Sequence, residues 1–325
     1  MSETATGVVP AAFADVVADE VRLRRFLDGL PGVDPVALEQ RATALATRSI
    51  KKQSKLTAID LAISMVDLTT LEGADTAGKV RNLVRKGLQP DPERPDTPRV
   101  AAICIYPDLV PVAAGALAGS ENTGTKINIA SVATAFPSGR AALPVKIADV
   151  ESAVAAGADE IDMVIDRGAF LAGHYGKVYD EIVAVKQAAG AARLKVILET
   201  GELATYDNVR KASWLALLAG GDFIKTSTGK VSPAATLPVT HVMLQAVHDW
   251  KRATGEQRAV KPAGGIRTAK DAIRYLVAVR EVAGPEWLHP HWFRFGASSV
   301  LNDLIMQRRT QLEGHYWGGD YVSLD

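Results

Sequence analysis

The feature that most constrains this chain is an alternation, repeated eight times from about residue 63 to residue 305, of a short apolar stretch with a longer helical one. The short stretches cover 63–68, 100–105, 126–132, 160–165, 194–199, 223–227, 259–262 and 293–297. Segments such as 145–156, 175–189, 208–218, 239–252 and 269–282 carry helical periodicity, and several end in a glycine suited to a helix C-cap. Strand-helix alternation demands a parallel sheet, and eight units predict a closed (β/α)₈ TIM barrel. An open doubly wound sheet would carry a Gly-x-Gly-x-x-Gly turn after its first strand, and none follows Leu68. The proline-rich connection 89–98 leads from a helix into a strand, which in a barrel is the face away from chemistry.

Residues 11–47 read as two amphipathic helices with the turn 30–35 between them, followed by a basic link, Lys51-Lys52-Gln53-Ser54-Lys55. The expected organisation is therefore an N-terminal helical extension over 1–55, a barrel over 56–310 and a tail over 311–325. The extension carries no catalytic pattern and suits packing or subunit contact. A net charge of +0 offers no bulk attraction to nucleic acid or an anionic membrane. One cysteine, Cys104, excludes an intrachain disulfide and suits a reducing compartment. With no signal-peptide pattern at the N-terminus and no apolar run of about 18 residues, a cytoplasmic protein is expected.

Side chains alternate along a strand, so each stretch splits into two faces. Ile161, Met163 and Ile165 oppose Glu160, Asp162, Val164 and Asp166; Leu194, Val196 and Leu198 oppose Lys195, Ile197 and Glu199; Phe293 and Phe295 oppose Arg294 and Gly296. Helices cover a barrel's outside, so the wholly apolar faces point outward and the mixed faces line the lumen. Asp67, Cys104, Asp162, Lys195, Glu199, Lys225, Lys261 and Arg294 become lumen candidates. Unpaired charges there would each cost several kcal/mol, so they must pair with one another.

Within Gly-Gly-Asp-Phe-Ile-Lys-Thr-Ser-Thr-Gly-Lys (220–230), Lys225 sits mid-strand, where lysine rarely lies without a partner or a task. It is either an edge-strand lysine that blocks aggregation or a functional amine. Lys261 falls on the neighbouring strand. An amine attacks a carbonyl only when unprotonated, and lysine has an ordinary pKa of about 10.4, so a nearby cation or an apolar pocket must lower it. Lys261 can supply that cation, and Asp162 can move protons through Lys261 or a water. The alternative is an Asp-Lys pair that only rigidifies the lumen.

Three strand ends carry glycines: Gly229-Lys230, Gly264-Gly265-Ile266-Arg267 and Gly296-Ala297-Ser298-Ser299. Glycine lets backbone N–H groups approach an oxyanion, and the last two segments lead into helices whose N-termini favour phosphate. The run 228–231 is no nucleotide P-loop, because Ile224 stands at the first glycine position and no Ser or Thr follows Lys230. The six histidines show no metal-ligand spacing, and Cys104 suits a small lumen residue better than a nucleophile.

The segments 67–71, 102–107, 195–203, 223–230, 261–265 and 294–299 resemble deoxyribose-phosphate aldolase, and the likeness runs through about residues 63–305. The resemblance implies a class I aldolase that reversibly cleaves 2-deoxy-D-ribose 5-phosphate to D-glyceraldehyde 3-phosphate and acetaldehyde, with no metal or other cofactor. It implies Lys225 as the Schiff-base lysine, Lys261 as the group that perturbs its pKa, and Asp162 as a partner in proton transfer. Asp67 and Cys104 would line the site; Thr228, Gly229, Lys230, Gly264, Gly265, Arg267, Gly296, Ser298 and Ser299 would bind substrate around its phosphate. A homo-oligomer, dimer or higher, is expected. Some members end in a site tyrosine, and the resemblance offers Tyr321 as the residue to compare with it. Another lysine-dependent lyase or transaldolase, or a non-catalytic sugar-phosphate-binding barrel, would use the same parts.

Overall fold

The computed structural model describes residues 10–120 and 124–318; Tyr321 lies outside them. The eight strands are β1 (Val66–Thr69), β2 (Ala102–Ile105), β3 (Asn128–Val132), β4 (Glu160–Val164), β5 (Arg193–Ile197), β6 (Phe223–Lys225), β7 (Ala259–Lys261) and β8 (Phe295–Ala297). They form one parallel sheet in the order β7-β6-β5-β4-β3-β2-β1-β8. The remaining seam, between β7 and β8, is joined by parallel bridges at Val260/Phe293 and Ala263/Gly296. Backbone bonds from Arg294 N to Val260 O (3.1 Å) and from Gly296 N to Pro262 O (2.9 Å) complete it. The expected barrel is therefore present.

Twelve helices surround and precede the sheet among the described residues: α1 (Glu20–Asp28), α2 (Pro35–Ala46), α3 (Lys52–Ser64), α4 (Ala77–Leu88), α5 (Val110–Leu117), α6 (Leu143–Ala155), α7 (Arg167–Leu171), α8 (Tyr175–Ala189), α9 (Tyr206–Leu218), α10 (Leu237–Thr254), α11 (Ala269–Val282) and α12 (Ser299–Glu313). Threonine caps four of them: the side chains of Thr76, Thr205, Thr236 and Thr268 each accept a backbone N–H of the first turn. Gly255 ends α10 at φ +78°, a conformation open to residues without a Cβ.

Two expectations need correction. The segment 51–55 is no link, because Lys52 opens α3, and the expected boundary at residue 55 falls inside that helix. The first strand begins at Val66 rather than residue 63, since Ile63 belongs to the end of α3. The second error has a plain cause: Ile59, Ala62 and Ile63 bury the inner face of α3 completely, and a buried helix end running straight into a buried strand reads as one apolar run. The first arises because the helix opens on a solvated basic turn, 51–54, that shows no apolar periodicity. The remaining strands stay inside or within a residue of their expected ranges.

Within the strands the expected faces are realised, Glu199 beyond the end of β5 being the exception. Ile161, Met163, Leu194, Val196, Ile224, Val260 and Phe295 join the main core under the helices. The lumen has two halves: Ala102, Cys104, Ala130 and Val132 of β2 and β3 cluster with Leu71 as an apolar half, and charged residues fill the rest. Among the described residues no helix is long and apolar enough to cross a membrane.

Candidate active site

Strand register brings the charges together. In β6 and β7, Lys225 stands opposite Lys261; in β4 and β5, Asp162 stands opposite Lys195. Lys225 Nζ and Lys261 Nζ each lie 2.8 Å from Asp162 Oδ2, while Lys195 Nζ lies 2.7 Å from Asp162 Oδ1. Lys261 also reaches Asp67 Oδ2 at 2.6 Å, and Lys195 reaches Glu160 Oε2 at 2.6 Å. Below them Arg294 bridges Asp67 Oδ1 at 2.6 Å and Glu160 Oε1 at 3.0 Å. The Phe223 ring forms part of this layer, with the guanidinium of Arg193 at 4.3 Å and the cations of Lys195 and Arg294 each at 5.7 Å.

This network joins four cations, Lys195, Lys225, Lys261 and Arg294, to three carboxylates, Asp67, Glu160 and Asp162. All seven are almost fully buried, so one positive charge is in excess, and burial disfavours an uncompensated charge. Lys225 is the group that yields. Its burial pushes the ammonium below the ordinary lysine range; Asp162 opposes that shift and the charge of Lys261 reinforces it. Lys261 is buried too, but Asp162 and Asp67 together outweigh the burial and hold it well above the usual range. Lys195 is raised likewise by Asp162 and Glu160 against its burial. Asp162 is buried, yet the three lysines hold its carboxyl well below the usual range. The arrangement thus strengthens Lys261 and Lys195 as cations and makes Lys225 the least basic of the three lysines.

Lys225 also differs in position. A cleft of about 1040 Å³ opens at the carboxyl ends of the strands, and of the seven charged lumen residues Lys225 is the one that lines it. The walls include Thr228, Gly229, Lys230, Gly264, Gly296 and Ser298. The positive φ of Gly264, +78°, and the close approach of Ala234 leave no room for a Cβ there. Lys230 lies 2.8 Å from Glu72 Oε1 at the rim. The cleft runs on along α4 past Lys79 and Asn82 to Gln89, Pro90 and Pro92, so one groove joins the barrel mouth to the connection expected at the opposite face.

The profile of the DeoC/LacD family aldolases matches residues 61–304. The chain belongs to this aldolase family. A putative deoxyribose-phosphate aldolase of Caenorhabditis elegans is 47% identical over 243 residues, 75% of this chain and 79% of the relative. The deoxyribose-phosphate aldolase of Homo sapiens is 42% identical over 290 residues, 87% of this chain and 90% of the relative. Among solved structures, a tetrameric deoxyribose phosphate aldolase from Aeropyrum pernix superposes with a TM-score of 0.58 at 26% identity, covering 85% of this chain and 99% of that one.

On this aldolase barrel the sequence-predicted residues fall into three groups. Lys225, Lys261, Asp162, Asp67 and Cys104 meet in the lumen, with Cys104 Sγ 3.9 Å from Asp162 Oδ2. Asp67 and Cys104 are fully buried and do not line the cleft; Asp67 is spent on Lys261 and Arg294. Thr228, Gly229, Lys230, Gly264, Gly296 and Ser298 line the cleft, whereas Gly265, Arg267 and Ser299 are exposed beside it. Glu199 leaves the lumen: at φ +52° it turns beyond the end of β5 and accepts from Thr228 Oγ1 at 2.5 Å, and burial raises its pKa.

Sequence reasoning placed Glu160 on the mixed face without giving it a role, though it carries both Lys195 and Arg294. Its spacing of two from Asp162 was the available signal. Glu72, Lys79 and Asn82 were missed, and nothing local marks them, because they reach the cleft only through the path of the chain after β1. Among the described residues, no group of three or more His, Cys, Asp or Glu is placed to hold a metal ion.

Proposed function

We propose that this chain is a class I aldolase reversibly cleaving 2-deoxy-D-ribose 5-phosphate to D-glyceraldehyde 3-phosphate and acetaldehyde, with Lys225 as the Schiff-base lysine. The observation that carries this reading is that Lys225 alone of the charged lumen residues combines a lowered pKa with a place on the cleft wall. Neutral Lys225 Nζ adds to the substrate's C1 carbonyl, and loss of water leaves an iminium. The C3 hydroxyl then gives up its proton, the C2–C3 bond breaks, and its electron pair passes into the iminium to form an enamine. D-glyceraldehyde 3-phosphate departs as the new aldehyde. Protonation of the enamine carbon and addition of water to the iminium release acetaldehyde and restore Lys225.

Asp162 and Lys261 serve the proton transfers, through a water where reach demands it. The phosphate is held among Thr228, Gly229, Lys230, Gly264, Gly265, Arg267, Gly296, Ser298 and Ser299, and Lys230 must exchange Glu72 for it. Gly264 and Gly296 are bound to one another, Gly264 N to Gly296 O at 3.2 Å, which joins two of these strand ends into one rim. The role is cytoplasmic deoxyribonucleoside catabolism, and the tetrameric relative supports a homo-oligomer.

Borohydride reduction in the presence of acetaldehyde, followed by peptide mapping, tests the reading. A two-carbon adduct on Lys225 is expected. An adduct on another lysine, or none, rejects the assignment, and cleavage of ketose phosphates in preference to deoxyribose 5-phosphate would make the protein a different lysine-dependent lyase.

A further inference from the structure

A second cavity, of about 350 Å³, lies outside the barrel where the N-terminal extension crosses α9, α10 and α11. Its walls divide by chemistry. Leu30, Trp214 and Val282 supply apolar surface, while Arg41 of α2, Arg210 of α9 and His241 of α10 supply donors. His241 is 1% exposed, and its Nδ1 is buried without a hydrogen-bond partner among the described residues. No step of the aldol chemistry uses it, and a buried polar atom left unpaired destabilises the fold unless something meets it. Arg210 holds the roof in place by donating to Pro31 O at 2.5 Å and to Gln245 Oε1 at 3.0 Å. Arg41 is exposed at the cavity and close enough to His241 for its charge to bear on the imidazole. Asp249 is the acidic group at this cavity, and it is turned toward His248, with His248 Nδ1 3.7 Å away.

We infer that this cavity is a binding site for a small organic carboxylate with a short apolar body, seated against Trp214 and held by Arg41, Arg210 and His241. The volume falls within the range of small-molecule sites, about 300–1,000 Å³, and apolar walls with a few convergent polar groups are what such sites present. Two guanidinium groups and a neutral imidazole N–H match the few lone pairs of a monoanion. A phosphate dianion would meet stronger repulsion from Asp249. The site exists because the extension is there, since Leu30, Pro31 and Arg41 all come from it. It gives residues 20–46 a task that the barrel alone does not require.

The test is to titrate the full-length protein with benzoate by calorimetry, with saturation-transfer NMR to report contact with a tryptophan. One saturable site is expected, weakened at least about tenfold in Arg41→Ala, with aldolase turnover unchanged in that variant. Arg41 is exposed, so its loss leaves the fold intact; His241→Phe, which removes the buried unpaired ring nitrogen, should weaken benzoate in parallel. Phenyl phosphate should bind less tightly than benzoate. Absence of saturable binding, equal affinity in Arg41→Ala, competition with deoxyribose 5-phosphate, or preference for phenyl phosphate would each overturn the inference.

Discussion

Lys225 and Lys261 donate to the same carboxylate oxygen: each Nζ lies 2.8 Å from Asp162 Oδ2. Two ammonium groups on one oxygen repel each other, and the second contact of Lys261, to Asp67 at 2.6 Å, helps raise its pKa while burial lowers that of Lys225. Among the described residues Lys225 has Asp162 as its one carboxylate partner, so it is the less strongly held of the two cations.

Replacing Lys225 by Met should lower turnover by at least about 10³-fold, since no other lumen amine lines the cleft. Thermal stability should be unchanged or higher, because the three remaining cations still face three carboxylates and no fourth amine is buried beside them. A melting curve beside the rate measurement checks both; a large loss of stability would show that the excess charge was misassigned.

Lys261→Met removes the charge that helps keep Lys225 below the lysine range. The folded pKa of Lys225 should rise, so the acid limb of the kcat/KM profile should move to higher pH. Asp67 loses its 2.6 Å partner, and the variant should lose about 3–5 kcal/mol of stability. An acid limb that stays in place would separate Lys261 from the control of Lys225.

Asp162→Asn keeps the shape of the side chain but strips three lysines of their shared charge. Lys225 should become still less basic, because Asp162 is what opposes its burial. Turnover should nevertheless fall by about 10²–10⁴-fold at every pH, through loss of proton transfer. Recovery of the full rate at any pH would assign Asp162 to electrostatics alone.

Gly296→Ala tests packing behind the lysine. A Cβ there would lie 2.7 Å from Ala263 Cβ and 3.0 Å from Lys261 Cε. Overpacking of this kind costs about 1–3 kcal/mol, and a displaced Lys261 should lower kcat more than it raises KM. Wild-type kinetics would show that Lys261 gives way without consequence.

His241 carries a pH signature of its own. Burial, helped by the charge of Arg41, lowers its pKa from 6.5 to about 4. The unfolded chain therefore binds a proton that the folded one refuses. Stability from this group is fully present above about pH 6.5 and is lost as pH falls toward 4, by up to about 3 kcal/mol. Denaturant titrations at pH 7 and pH 5 should show a smaller acid loss in His241→Gln than in the wild type.

The family was legible in its motif segments, and the barrel and the inward placement of the lysine pair in the strand-helix alternation and the pleat, which are local properties. Two-residue alternation alone put Asp162, Lys195, Lys225 and Lys261 on inward faces. The same rule failed at Glu199, whose left-handed turn ends the alternation, and at Ile63, where a buried helix imitates a strand. Which charge meets which was not legible: Lys225 and Asp162 are 63 residues apart, and only the register of neighbouring strands around a closed barrel sets that 2.8 Å contact. The excess of one cation, the choice of Lys225 to lose it, and the roofed cavity beside His241 all follow from such contacts. Sequence determined which groups face inward; the closure of the sheet decided their partners, because pairing energy depends on distances that no local pattern contains.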